Sequence, residues 1–420
     1  MNLMIQPGAL RGTVEHMMTS KSQAHRLLIC AAQTTDETWI SNLPPSEDTE
    51  ATLRCLEAMG TEIRRADRAC LLKKGETPRK ECLLDCGESG STLRFLLPAT
   101  AARGMSVSFT GRGKLASRPL SPLYEELQAH GAVLSPQGNL PLHVSGKLSG
   151  GMYRLTGGVS SQFFSGLLMA LPLLPENSRL EAEGRLESEP YVDMTLNTLR
   201  LFGIQTERTE NTFFIKGGQT FRSPGNISVE ADWSGAAFWL AAGALSDTGV
   251  TCRGLNTESA QGDRAILTLL QQFGAETAAE GENVTVRRSR LHGIDIDASD
   301  IPDLVPVLAV TAACAEGDTR FRHIRRLRLK ESDRVESVLA LIRSLGGAGD
   351  SAEDEMIIHG SGGLQGGTAD SFRDHRIAMA AAVAATAAGE PVNIIGAECV
   401  SKSYPGFFEQ FEALEGRVLR

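Results

Sequence analysis

The sequence predicts an α/β protein (α+β in its segregation of strands) of two domains, built from six β-α-β-α-β-β-like repeats of about 70 residues, three to a domain. Three observations carry this. A helix end of the form apolar-x-x-apolar-x-x-apolar-Gly closes at Gly60, Gly131, Gly203, Gly274, Gly346 and, less cleanly, Gly416, at intervals of 71, 72, 71, 72 and 70 residues. A second series of helix starts interleaves with it, near Ser22, Ser91, Ser161, Ser234, Asp303 and Arg376, at intervals of 69, 70, 73, 69 and 73. Short alternating segments lie between the helices, such as residues 105–109 and 284–286. They read as strands with one face on the helices and one toward water.

Each element has a physical reason. In the first helix series the apolar residues follow the 3.6-residue period of a one-faced surface helix, and each glycine falls where a left-handed C-cap is wanted. The second series is rich in Ala, Leu and Gly, as in residues 163–174 and 380–388. Small side chains nearly all round predict helices buried on most faces. A single apolar core rarely grows past about 250–300 residues, so six repeats divide three and three. Residues 222–229 (Arg-Ser-Pro-Gly-Asn-Ile-Ser-Val) form a turn-rich crossing point, and the residues before Thr19 belong to no complete repeat. The expected domains are therefore 1–18 with 228–420, discontinuous, and an inserted 19–227.

Composition narrows the function. The 42 Lys and Arg against 51 Asp and Glu give a net charge of -9, and aromatic residues are 5 %. That argues against a protein that coats nucleic acid or an anionic membrane. Residues 1–11 carry no positive run ahead of an apolar stretch, so no signal peptide is expected. The most apolar segments, 238–245 and 377–389, are too short to span a bilayer. Of eight cysteines only Cys82 and Cys86 lie close together, without a second pair to complete a zinc set. Free, mostly buried thiols in a reducing cytoplasm are expected. The dispersed histidines suggest no metal site, and no cofactor is expected.

The chemistry sits at the starts of the buried helices: Ser20-Lys21-Ser22 with Arg26, Glu88-Ser89-Gly90-Ser91 with Arg94, Ser160-Ser161-Gln162, Asp300-Ile301-Pro302-Asp303 and Asp374-His375-Arg376. Free backbone N–H groups and the positive dipole end make such places anion sites. Ordinary caps do not need Lys21, Arg26, Arg94 and Arg376. More cations lie in residues 111–119, 325–334 and 400–405. No Walker-type loop and no complete Gly-x-Gly-x-x-Gly is present. Small di-anionic ligands suit arginine forks and lysine point charges. Asp303, Glu331 and Asp333 are the carboxylates placed for acid/base work. These residues describe an enzyme moving a small anionic group between anionic metabolites in a cleft between two domains; the reaction itself stays open at this point.

The motifs, in order along nearly the whole chain, resemble the enolpyruvyl transferase family. They are Ser20-Lys21-Ser22…Arg26, Glu88-Ser89-Gly90-Ser91…Arg94, Ser117-Arg118-Pro119, Ser160-Ser161-Gln162-Phe163, Glu187-Ser188-Glu189-Pro190-Tyr191, Asp300-Ile301-Pro302-Asp303, Lys330-Glu331-Ser332-Asp333-Arg334, Asp374-His375-Arg376 and Ser401-Lys402-Ser403-Tyr404-Pro405. The resemblance implies a two-domain inside-out α/β barrel of six βαβαββ units. It implies transfer of the enolpyruvyl group of phosphoenolpyruvate to the 5-hydroxyl of shikimate 3-phosphate, through a tetrahedral intermediate, without metal or organic cofactor, by a cytoplasmic monomer. It implies Lys21, Ser22, Arg26, Ser160, Ser161, Gln162, Ser188, Tyr191, Asp303 and Lys330 at shikimate 3-phosphate. Around phosphoenolpyruvate it implies Lys21, Gly90, Arg118, Gln162, Arg334, Arg376 and Lys402. Asp303, Glu331 and Lys21 are then the catalytic groups, Asp303 as the base at the hydroxyl.

The chain departs from the family pattern at several places. Met18 and Thr19 stand where Pro-Gly is usual, Glu88 and Arg326 where Asn is common, Ser91 for Thr and Phe95 for Pro. The alternatives are a UDP-N-acetylglucosamine enolpyruvyl transferase and a non-catalytic phosphometabolite-binding protein. The first typically carries a cysteine in the loop before its Arg-Pro, and residues 111–119 have none.

Overall fold

Three four-stranded sheets wrap three helices, and the chain does this twice. The computed structural model describes residues 1–75 and 81–420. Among them are twelve α-helices and 24 strands, numbered α1–α12 and β1–β24 in chain order. The chain divides into two compact units, Lys21–Val229 and Met1–Ser20 with Glu230–Arg420, each with its own apolar core.

The six sheets share one order. In one of them β6 (Glu81–Asp85) runs parallel to β7 (Ser106–Thr110), β7 antiparallel to β9 (Leu142–Gly146), and β9 antiparallel to β8 (Ala132–Leu134) at the edge. Helix α3 (Gly90–Ala102) makes the parallel crossover and α4 (Leu123–Ala129) leads into the hairpin. This is the β-α-β-α-β-β unit.

Strand pairing explains why the chain's first residues belong with its second half. β1 (Asn2–Gln6) lies antiparallel between β23 (Val392–Ile395) and β24 (Arg417–Leu419), and β2 (Gly12–Val14) runs parallel to β15 (Val250–Cys252). Two sheets are incomplete without them. The other unit closes on itself in the same way: β14 (Asn226–Ser228), its last strand, pairs parallel with β3 (Thr38–Ser41), its first.

The helices alternate as the two series require. α1 (Lys21–Ala31), α3, α5 (Ser161–Ala170), α7 (Trp233–Ala244), α9 (Val305–Ala313) and α11 (His375–Thr386) are the buried ones, and every residue of α7, α9 and α11 is buried. Close approach needs small residues: a Cβ on Gly166 of α5 would stand 2.5 Å from the Arg94 carbonyl oxygen of α3. α2 (Glu47–Ala58), α4, α6 (Glu189–Leu201), α8 (Ile266–Phe273), α10 (Arg334–Ser344) and α12 (Phe407–Ala413) each bury one face. Glycine takes the left-handed position after the first five, as at Gly274 with φ 101°. After α12 that position falls to Glu415, φ 68°. Gly416 is needed for space instead, since a Cβ there would meet the Phe411 carbonyl oxygen at 2.7 Å. Helix α9 opens two residues later than the sequence suggests, which leaves Asp303 in the preceding turn.

All eight cysteines are free thiols, six of them buried. Among the described residues no helix is long and apolar enough to cross a membrane.

Candidate active site

In the unit Lys21–Val229, four helix starts are tied together by side chains. Arg26 is buried on α1. Its Nε donates to Thr195 Oγ1 on α6 at 2.7 Å, its Nη2 to Ser165 Oγ on α5 at 3.0 Å and to the Tyr191 carbonyl at 2.9 Å, and its Nη1 to the Ser22 carbonyl at 2.6 Å. A fully buried guanidinium must be bonded this way. Most of its donors hold α1, α5 and α6 together, so Arg26 fixes the positions of Ser22 and Tyr191 more than it reaches outward.

Arg94 does the same for α3 and α5. Its Nη1 donates to Gln162 Oε1 at 2.8 Å and its Nη2 to the Pro119 carbonyl at 2.9 Å, while Gln162 Nε2 donates to Ser91 Oγ at 2.8 Å. Ser89 and Ser160 cap α3 and α5 by accepting from Thr92 N and Gln162 N. Ser161 is the first residue of α5. Ser188, buried at the start of α6, holds a left-handed φ of 54°. A non-glycine residue kept there stores about 1–3 kcal/mol of strain that the surroundings must offset, as functional positions often do.

Arg118 offers a cation. Its guanidinium makes no hydrogen bond or ion pair among the described residues, and its buried Nε has no partner. It lies against the start of α3, where a Cβ on Gly90 would stand 2.7 Å from Arg118 Cζ. Glycine at 90 therefore lets a guanidinium and a helix N-terminus face the same space. Lys21 pairs with Asp48 at 2.8 Å. Glu88, at the family's usual Asn, packs over Gly113, whose added Cβ would stand 2.7 Å from the Glu88 carboxyl carbon.

Phe95 is buried within α3. It meets the His25 ring edge-on, with centroids 6.3 Å apart, and Arg26 Cζ lies 5.0 Å from its centroid. Burial pushes His25 down to about 3, against the opposing charge of Asp48. The neutral ring bonds through Nδ1 to Thr52 Oγ1 at 2.7 Å.

In the other unit, carboxylates and cations interlock. Asp303 Oδ1 accepts from Arg334 Nη1 at 2.6 Å, and its Oδ2 from Arg376 Nη2 at 3.0 Å. Lys330 Nζ lies 3.9 Å from Oδ1. Burial raises the Asp303 carboxyl, but Arg376, Lys330 and Arg334 together outweigh it and hold it well below the usual carboxylate range. Arg334 is 2 % exposed. Its Nε also donates to Asp374 Oδ2 at 2.8 Å and its Nη2 to Glu331 Oε2 at 3.2 Å. Glu331 Oε2 lies 3.1 Å from His375 Nδ1, close but not aligned for a hydrogen bond. Lys402 donates to the Arg373 carbonyl at 3.1 Å, beside Asp374.

Three residues that sequence reasoning left unassigned shape these clusters. Asp374 accepts from the Arg334 side chain, from Ser332 Oγ at 3.1 Å and from the Arg376 backbone N–H at 3.0 Å as the α11 cap. One carboxylate thus sets both arginines. Asp48 holds Lys21. Asp263, buried, accepts from Ser234 Oγ; burial and then the charge of Asp303 raise it to about 7. Of these, Asp374 was legible as a cap. Asp333, a sequence candidate for acid/base work, caps α10 by accepting from Glu336 N and pairs with Arg328 at 3.2 Å. Arg326, where Asn is common, is buried in a 3-10 turn. Glu331, Asp374 and His375 could offer metal-type donors within 4.8 Å, but the Arg334 guanidinium already occupies both carboxylates, and a second cation there would meet its charge.

Six βαβαββ units around buried helices, with Arg26 and Arg94 at helix starts in one compact unit and Arg376 in the other, belong to an α/β protein of the enolpyruvyl transferase class. An enolpyruvyl transferase from Streptomyces tendae shares the fold, with a TM-score of 0.80 over 100 % of this chain and 98 % of that one, at 18 % identity. The chain matches over residues 5–411 the family model described as EPSP synthase (3-phosphoshikimate 1-carboxyvinyltransferase), and it belongs to that family. It is 43 % identical over 417 residues to a 3-phosphoshikimate 1-carboxyvinyltransferase of Clostridium kluyveri, and 42 % over 421 residues to one of Clostridium acetobutylicum, in each case 99 % of this chain and 97 % of the relative. An EPSP synthase structure from Acinetobacter baumannii superposes with a TM-score of 0.83 over 100 % of both chains, at 26 % identity.

Proposed function

We infer that the chain transfers the enolpyruvyl group of phosphoenolpyruvate to shikimate 3-phosphate, in the shikimate pathway to chorismate and the aromatic amino acids. The observation that carries the residue roles is the fork of Arg334 and Arg376 on Asp303, a base candidate standing directly against anion-binding groups. In the proposed reaction the 5-hydroxyl oxygen bonds to C2 of phosphoenolpyruvate while its C3 gains a proton. C3 then loses a proton as the C2–O bond to phosphate breaks. The hydroxyl proton leaves with phosphate, so the reaction balances without an external reductant or oxidant.

The proposed division of labour follows the two clusters. Asp303 takes the hydroxyl proton, and Glu331 and Lys21 serve proton transfer at the donor. Arg118, Arg334, Arg376 and Lys402, with Gly90, Lys21 and Gln162, hold phosphoenolpyruvate. Ser160, Ser161, Gln162, Ser188, Tyr191, Ser22, Arg26 and Lys330 serve shikimate 3-phosphate. The Arg118 guanidinium, without a hydrogen bond or ion pair among the described residues, lies at the start of α3 and supports the donor assignment. The strained, buried Ser188 supports the acceptor assignment. Domains 1–18 with 228–420 and 19–227, contributing to one reaction, belong to the same proposal. So does a cytoplasmic monomer, for which the eight free thiols suit a reducing compartment.

The test is phosphate release from phosphoenolpyruvate, run in parallel with shikimate 3-phosphate and with UDP-N-acetylglucosamine, with mass analysis of the product. Release with the shikimate ester alone, giving a carboxyvinyl ether, is expected. Release with the nucleotide sugar alone would overturn the acceptor. Silence with both from folded protein would overturn the catalytic reading.

A further inference from the structure

We propose that the Asp303 carboxylate is the resident counter-anion of the donor's arginine pair, so that Asp303 is released to act as a base only when phosphoenolpyruvate takes over Arg334 and Arg376. The proposal rests on the reading of those three residues given above.

The geometry is that of an occupied anion site. Each Asp303 oxygen faces a different guanidinium, at 2.6 and 3.0 Å, and Arg376 Nη1 also reaches the Asp303 main-chain carbonyl at 3.4 Å. Two arginines forking one carboxylate is also how they would grip the carboxylate of a ligand. The arginines do not need to move to exchange partners. Arg334 is anchored through Nε to Asp374 and through Nη2 to Glu331, which leaves the Nη1 edge as the one turned on Asp303. The Arg376 backbone is fixed by the same Asp374.

Asp303 lies in the turn before α9, outside the helix, so its release does not disturb helical hydrogen bonds. Charge also favours exchange. The cluster sets Asp303, Glu331 and Asp374 against Lys330, Arg334 and Arg376. These six groups balance one another, so an arriving anion is accommodated by displacing an anion rather than by adding to it. The groups facing Asp303 are Arg334, Arg376 and Lys330, with Asp263 nearby. While clamped, Asp303 is a poor base, because three cations stabilise its ionised form. Handing the arginines to the donor restores its basicity when the electrophile is in place.

Coupling of this kind is reciprocal: what loosens Asp303 must tighten the donor. If the clamped form leaves about a tenth of molecules competent for the donor, removing the clamp lowers the apparent dissociation constant about tenfold. Titration calorimetry with phosphoenolpyruvate alone, on the full chain, tests this for wild type and Asp303→Asn. The expected result is about tenfold tighter binding by Asp303→Asn, with turnover largely lost. Asp303→Ser repeats the measurement should the amide disturb the turn, with circular dichroism confirming that the variant is folded. Unchanged or weaker binding in a folded variant would overturn the counter-anion role. Undiminished turnover in Asp303→Asn would instead overturn Asp303 as the base, whatever the binding result, so the two readings fail separately.

Discussion

Asp374→Ala should destabilise the unit Met1–Ser20 with Glu230–Arg420 more than any change confined to the ligand-facing residues. Asp374 is wholly buried and holds Arg334 through Nε at 2.8 Å. Breaking a buried pair by removing one partner costs about 3–5 kcal/mol. Here Arg334 keeps Asp303 at 2.6 Å and Glu331 at 3.2 Å, so the lower figure, about 3 kcal/mol, applies. Loss of the α11 cap adds about 1 kcal/mol, and Ser332 loses its acceptor as well. The total is about 4 kcal/mol. For a body of about 200 residues each kcal/mol moves the melting temperature by about 2–4 °C, so a fall of about 8–16 °C is expected in this unit's transition. Scanning calorimetry fitted with two transitions measures it, since the two cores are separate. Asp374→Asn keeps an acceptor for the cap and for Ser332, and should lose roughly half as much. In Asp374→Ala the KM for phosphoenolpyruvate should rise by about tenfold or more, because both arginines lose their anchor. A melting temperature within about 2 °C of wild type for Asp374→Ala would refute the reasoning that one carboxylate organises both arginines.

Other consequences can be checked with ordinary assays. Gly90→Ala would bring a methyl group to 2.7 Å from Arg118 Cζ; steady-state kinetics should show a raised KM for phosphoenolpyruvate with shikimate 3-phosphate little affected, and an unchanged donor KM would mean Arg118 does not serve the donor. Asp263 is raised above its usual 3.8 to about 7, by burial first and then by Asp303. Its ionisation therefore costs stability progressively between those values, so Asp263→Asn should gain melting temperature over wild type as pH rises from 4 to 7; equal gains at pH 4 and pH 8 would contradict this. His359 bridges Asp318 at 2.8 Å and Asp350 at 3.0 Å, and those bonds raise it above its usual 6.5. The protonated bridge contributes in full below pH 6.5 and fades as pH rises through the raised value, so His359→Gln should lower the melting temperature at pH 5.5 and leave it unchanged well above neutrality.

The repeat frame was legible because it is written in local physics. A left-handed residue after a helix wants glycine, and five of the six marked glycines have it; a helix buried all round favours small apolar side chains, as α11 does. The cationic helix starts were legible too, because caps alone leave Arg94 and Arg376 without a purpose. What could not be read was the partner of each charge. Nothing local to Asp374 says that it meets Arg334 forty residues earlier, nor does the surrounding sequence of Asp48 point to Lys21. Asp333 looked as suited to proton transfer as Glu331, until the backbone of α10 claimed it as a cap.

The sequence by itself thus determined the alternation of buried and half-exposed helices and the sixfold count, since helix periodicity and capping act within a few residues. The tertiary structure alone decided that β1 and β2 complete sheets begun more than 200 residues later. It also decided that Arg26 and Arg94 brace helix starts while Arg118 makes no ion pair among the described residues, and that Asp303 lies between two arginines. These are matters of which distant groups share a desolvated space. Coulomb and hydrogen-bond energies depend on separations of a few ångströms that only the folded packing sets.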